Sequence, residues 1–283
     1  MNIFKEISKN YHKLKPNSQE YENLDLKIKE IVSKSTLNQE EGKIILDNFG
    51  EIIFPYKKLG KIDSLNFFCL NEFIMFTYYL ANKNNYKNVV DVGSCLGLHS
   101  IILNKCGYNV TSYEPDKDNL LILNKYLSLN KITNNKTINK AIFDNSTNSI
   151  SFNVIHDNRT GNHVVGSKSN LHGSYETIVV EVDPLKKIMK NNQLVKLDIE
   201  GAEAKAIKST SLDDWNTCDI ITEVHDKINS KEIYNFCEKL GLNLFSQNNN
   251  WNIVNDIDIM PKSYHDGAVF ISKKKNMEWN IEI

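Results

Sequence analysis

The sequence predicts an α/β protein: a doubly wound, mostly parallel, seven-stranded Rossmann-like sheet with a helical N-terminal extension. Three observations carry this. From Asn88 onward, short β-branched runs alternate with helical segments of about ten residues, the pattern of a parallel sheet covered on both faces. A pair of glycines stands where the first of these runs gives way to a helix. Before Asn88 the apolar spacing is helical throughout.

Residues 1–85 are expected as a helical unit that caps the active-site mouth or mediates homo-oligomer contact, and residues 86–283 as a cofactor-binding domain. In the extension, Leu24, Ile28, Ile31 and Val32 make one apolar stripe, and Phe73, Phe76 and Leu80 another, with Asn71 as the N-cap of its helix. Asn88–Val92 then reads as a strand buried on both faces. Leu98–Lys105 is a helix stopped by Gly107, Asn109–Tyr113 a strand, Asp116–Leu129 a helix and Thr137–Phe143 a third strand. A polar stretch from Asp144 to Tyr175 is interrupted by a strand at Ile150–Ile155 and followed by another at Thr177–Val182. Leu194–Ile199 is strand four, Ala202–Lys208 a helix, Cys218–Val224 strand five and Lys231–Leu240 a helix. Two late runs, Leu242–Phe245 and Gly267–Ser272, suggest an antiparallel pair closing one edge.

Composition narrows the class. The 283 residues are 41% hydrophobic and 24% charged, which excludes a disordered or fibrous chain. Thirty-four basic against 35 acidic residues leave a net charge of −1, with no basic field to recruit nucleic acid or anionic membrane. Arg159 is the only arginine, so bidentate clamps for phosphate are scarce. No run approaches about 18 apolar residues, and no membrane span is expected. The start is charged throughout, and five scattered cysteines (Cys69, Cys95, Cys106, Cys218, Cys237) include no C-x-x-C pair. That combination points to the cytoplasm, without a disulfide frame or zinc site.

The sharpest feature is Asp91-Val-Gly-Ser-Cys-Leu-Gly97 at the first strand-to-helix turn. Ligands of open parallel sheets bind beyond the carboxyl ends of the strands, so this loop is the expected floor of a site. A dinucleotide fingerprint would space its glycines G-x-G-x-x-G around a pyrophosphate. Here the glycines are four apart and an acid precedes the first, which suits a cationic group better than a phosphate. S-adenosylmethionine (SAM), with its α-amine and sulfonium, is such a ligand. Glu114, at the end of the second strand, can accept the ribose hydroxyls of either SAM or NAD. Cys95 and His99 read as structural.

A second motif, Lys196-Leu-Asp-Ile-Glu-Gly-Ala-Glu203, follows strand four. Together with the glycine loop and Tyr113-Glu-Pro115, it resembles the FkbM-type family of class I SAM-dependent methyltransferases. Asn130, Lys140-Ala-Ile-Phe-Asp144 and Ile221-Thr-Glu-Val-His225 are similar to the family pattern as well, and the resemblance spans roughly Asn88 to Leu240. Ser94-Cys95 and His99 depart from that pattern without removing the glycines. The resemblance implies O-methylation of hydroxyls on sugars, glycans or related small molecules. It also implies SAM contacts from Asp91, Gly93, Ser94, Gly97, Glu114 and the Ala141 region. Absence of an Asn/Asp-Pro-Pro-Tyr/Phe sequence after strand four counts against methylation of exocyclic nucleobase nitrogens.

An alcohol needs a general base, or a cation that lowers its pKa, to attack a methyl sulfonium at neutral pH. Asp198, Glu200 and His225 are the candidate catalytic residues. Asp198, Glu200 and Glu223 could bind a divalent cation, although metal dependence is not the favoured reading. Arg159 and His163 lie in the polar segment expected to meet the acceptor, with His156 and His172 nearby. RNA or protein methylation, or a non-catalytic binding subunit built on the same fold, are the alternative functions.

Overall fold

The computed structural model describes residues 2–156, 158–168 and 173–281, and His172 lies outside them. The N-terminal part holds α1 (Ile3–Asn10), α2 (Gln19–Ser33), a hairpin of β1 (Lys43–Leu46) and β2 (Gly50–Ile53), and α3 (Leu70–Ala81). Next come β3 (Asn88–Val92), α4 (Leu98–Lys105), β4 (Asn109–Tyr113), α5 (Lys117–Leu129) and β5 (Lys136–Ile138). The middle holds β6 (Ala141–Phe143), β7 (Ser149–Ile155), β8 (His163–Val164), β9 (Tyr175–Pro184) and α6 (Leu185–Met189). The chain finishes with β10 (Leu194–Leu197), α7 (Glu203–Lys208), β11 (Asp219–Thr222), α8 (Lys227–Leu240), β12 (Asn243–Ser246), β13 (Asn252–Ile253) and β14 (Val269–Ser272).

The main sheet runs β13–β12–β14–β11–β10–β3–β4–β5 and has eight strands of mixed direction rather than seven. Strands β11, β10, β3, β4 and β5 are parallel, and β14 is antiparallel to both β11 and β12, so the late pair closes the edge with β14 slotted inside. The eighth strand is the two-residue β13, folded back on β12 through Asn250 and Trp251, both at positive φ. Alternate residues of β3 and β10 serve opposite layers. Val89 and Leu194 join the core built with α1, α3 and α4, whereas Val90, Val92, Val195 and Leu197 join the one built with α6, α7 and α8. This is the two-faced burial that parallel strands require.

Three further expectations change. The strand expected at Thr137–Phe143 is two: Asn139 donates to the carbonyls of Glu114 and Pro115, both at 2.9 Å, and turns the chain out of the main sheet. Thereafter β6 joins a second sheet, β6–β9–β7–β8, which gathers the expected strands at Ile150–Ile155 and Thr177–Val182 and adds the short β8 from the polar stretch. The extension is not purely helical, because β1 and β2 form a hairpin whose turn uses positive φ at Asn48 and Gly50. Cys69, not Asn71, stands at the N-cap of α3; the Asn71 side chain instead accepts from Tyr21 Oη and Gln247 Nε2. The stripe residues Leu24, Ile28, Phe73, Phe76 and Leu80 are buried within this chain.

Candidate active site

A pocket opens at the carboxyl ends of β3, β4 and β10. Its floor is the loop from Gly93 to Cys95, its walls include Glu114, Ala141 and Asp198, and Phe152, Arg159 and Val164 of the middle segment border it. Phe67 and Glu72 of the N-terminal part complete the lining.

The loop takes its shape from steric necessity. Gly93 has φ +73°, and a Cβ there would lie 1.8 Å from the Asp198 carbonyl oxygen. Gly93 and Ser94 both donate their amides to the Tyr113 carbonyl, and Ser94 Oγ bonds the Asp91 carbonyl at 2.8 Å. Close approach of two strand ends thus demands a residue without a side chain.

Asp91 differs from its expected place. It is fully buried and does not line the pocket. Its Oδ2 accepts from Ser100 Oγ at 2.6 Å, and Oδ1 lies 3.8 Å from Lys196 Nζ, the cross-strand neighbour in the β3–β10 register. Lys196 in turn donates to Asp198 Oδ2 at 3.2 Å. Burial works to lower the Lys196 pKa, but Asp198 and Asp91 overcome it and hold the ammonium charged. Asp91 therefore reaches the pocket only through Lys196, a residue present in the second motif to which the sequence reading assigned no role.

Glu114 faces the pocket and is 4% exposed. Its Oε2 accepts the Cys95 amide at 2.8 Å and its Oε1 the Asp116 amide at 2.9 Å. Burial pushes its pKa up to about 7 against the opposing pull of those amides. Each oxygen keeps a lone pair, the inventory needed to accept two vicinal hydroxyls. The lining cations are engaged elsewhere: Lys140 with Glu181 and Asp183, Lys196 with Asp198, and Arg159 with Asp116 and Asp118. Among the described lining residues no cation is left to meet a pyrophosphate, so the pocket fits SAM and disfavours a dinucleotide.

Beyond Lys196 lies a carboxylate cluster. Asp198 Oδ1 is buried and makes no hydrogen bond. His225 sits 3.3 Å from Glu200 Oε2 and 3.8 Å from Asp198 Oδ1 through Nε2, and 3.2 Å from Glu203 Oε1 through Nδ1. Glu200 also pairs with Lys168 and adopts a left-handed φ of +57°, a conformation costly for a non-glycine residue and common at functional sites. Burial works against the charge on Glu200, but His225 and Lys168 hold its carboxyl well below the usual range. Glu203 is fully buried and accepts the amides of Ile199 and Gly201, fastening the loop that carries Glu200. Glu223 lies near Asp198 and Glu72, and burial together with their charges pushes its pKa far up.

Expected acceptor residues fare differently. Arg159 borders the pocket, but its guanidinium is tied to Asp116 at 3.3 Å and Asp118 at 2.8 Å. His163, on β8 of the second sheet, is 1% exposed and does not line the pocket; its Nδ1 contacts the carbonyl of Gly161, in the turn before β8, at 2.8 Å. His156 is exposed. His99 lines the pocket between Tyr79 Oη at 3.1 Å and Glu72 Oε2 at 2.6 Å. Glu72 escaped the sequence reading because it precedes β3 in a helix with no motif of its own. Burial, aided by Glu114, pushes the Cys95 thiol far up, in keeping with a structural role.

Residues 81–244 match the Methyltransferase FkbM domain. Solved structures with a partial likeness include an rRNA methylase from Streptococcus thermophilus (12% identity, 70% of this chain and 94% of that one, TM-score 0.40). Others are a ribosomal protein L11 methylase from Lactobacillus delbrueckii subsp. bulgaricus (13%, 71% and 79%, TM-score 0.38) and the METTL16 MTase domain (10%, 71% and 66%, TM-score 0.41). No curated protein matches the sequence.

Proposed function

The chain belongs to the FkbM methyltransferase family and is a SAM-dependent methyltransferase; from that premise we propose that it methylates a hydroxyl of a sugar or glycan. SAM supplies a methyl group activated on a sulfonium. The chain's own residues do the rest, which is mostly alignment. Glu114 would accept the ribose hydroxyls, the Gly93–Gly97 loop would let the backbone approach closely, Ser94 and Ala141 line the cavity, and Lys196 holds Asp198 in place.

The observation that carries the reading is the open Oδ1 of Asp198. A buried carboxylate oxygen without a donor, on the wall of the cofactor pocket, is matched by an incoming hydroxyl. The hydroxyl would donate to the carboxylate cluster, which would take up its proton as the oxygen turns nucleophilic toward the methyl group that bound SAM supplies. Neutral acceptors suit a site whose lining lysines and lone arginine are already paired, and a carboxylate cluster repels phosphate-rich polymers. Residues 1–85 act as a cap, since Phe67 and Glu72 reach the pocket. No helix among the described residues is long and apolar enough to cross a membrane.

The test is transfer of labelled methyl from SAM to a panel of nucleotide-sugars, lipid-linked glycans and polysaccharide fragments. Label in an alkali-stable methyl ether is expected. A blank sugar panel with label entering RNA or protein overturns the reading.

A further inference from the structure

Two side chains that the methyl-transfer reading leaves unused, Glu203 and His225, converge with Asp198 at the ends of two neighbouring strands. Asp198 follows β10, His225 follows β11, and Glu203 opens α7 between them in sequence. One ligand atom from each lies within 4.8 Å of the other two. The His225 side chain is 8% exposed, and its Nδ1 makes no hydrogen bond although Glu203 Oε1 is 3.2 Å away. Asp198 Oδ1 is likewise buried and without a hydrogen bond. Buried polar atoms are seldom left so, and here the imidazole stands between two carboxylates, with Asp198 Oδ1 3.8 Å from Nε2 and Glu203 Oε1 3.2 Å from Nδ1. Glu203 Oε2 accepts only the Gly201 amide and keeps a lone pair. The nearby ammonium groups do not fill the gap: Lys196 bonds the other oxygen of Asp198, and Lys168 pairs with Glu200.

We propose that Asp198, Glu203 and His225 form a binding site for a divalent cation beside the cofactor pocket. Two carboxylates and an imidazole with no thiolate are donors for a hard or borderline ion of the Mg2+ or Mn2+ kind. The site rests on the hydroxyl reading and deepens it, because a cation next to Asp198 lowers the pKa of an acceptor hydroxyl and so replaces a strong base. Glu200, paired with Lys168 and 3.3 Å from His225, orients the imidazole as an outer partner.

Mn2+ binding to the metal-stripped full chain, followed by electron paramagnetic resonance and calorimetry without any acceptor, tests the site. One saturable Mn2+ per chain is expected, displaced by excess Mg2+. His225→Ala and Asp198→Asn should each weaken it at least about tenfold, with Glu200→Gln intermediate. SAM calorimetry on the same samples reports whether each variant is folded, and the isosteric Asp198→Asn serves if His225→Ala is not. Absence of saturable uptake below about millimolar Mn2+, or binding unchanged by both substitutions, overturns the proposal. Transfer to a sugar hydroxyl without Mn2+ binding would remove the cation and leave the acceptor reading. Mn2+ binding with a blank sugar panel would do the reverse.

Discussion

Asp198 divides its two oxygens: Oδ2 is held by Lys196 and Oδ1 stays open. Asp198→Asn keeps the shape but loses the charge that the acceptor needs. Turnover should fall at least about 100-fold while SAM affinity, read by calorimetry, stays within a few-fold. Glu114 yields a pH prediction with a definite sign. Its pKa in the folded protein is raised to about 7 from 4.5, so the ligand-free protein is favoured by this group below 4.5 and loses that contribution as pH rises through 7. SAM binding should move the other way, strengthening about tenfold between pH 6 and 8 as the carboxylate ionises, with Glu114→Gln flattening the profile. Gly93→Ala would thrust a Cβ to 1.8 Å from the Asp198 carbonyl, and urea unfolding should register a loss of about 3 kcal/mol or more. Gly93, Glu114 and Asp198 were legible in the sequence because strand-end motifs place such residues locally. Asp91 was misread in its detail, since the register that sets Lys196 opposite it is a long-range pairing that no local spacing reports.

The same distinction holds among the elements. Helices and parallel strands from Asn88 to Leu240 follow from short-range periodicity. The pairing of the second sheet does not, although its strands β7 and β9 are expected from the sequence: β6 pairs with β9 about forty residues later, and β7 with β9 across a long polar segment. That sheet is what gives Arg159 its place. Asp116 caps α5 and also accepts from Arg159 and from Asn162 at 2.9 Å, so the middle segment is fastened to the start of α5 beside Glu114. Arg159→Ala should therefore weaken SAM binding by up to about fivefold, as partly exposed ion pairs allow, and leave the acceptor KM unchanged. An effect on acceptor KM alone would return Arg159 to the acceptor.

At the scale of the whole molecule, the N-terminal part shares one core with the sheet: Phe4, Phe73 and Phe76 belong to the same buried cluster as Ile101, Leu194 and Phe270. A chain beginning at residue 82 should lack a cooperative urea transition, because it would strip that layer from the sheet and open the pocket at Glu72. Far-UV circular dichroism across a denaturant series decides this. The two extremes of the chain also meet: Tyr11 stacks on Trp279 at 4.8 Å, and Ser8 Oγ donates to the Trp279 carbonyl at 2.6 Å. With β14 slotted between β11 and β12, the last strand among the described residues is an interior member of its sheet. During synthesis, the first helix and the β12 edge must both wait for residues up to Trp279 to emerge.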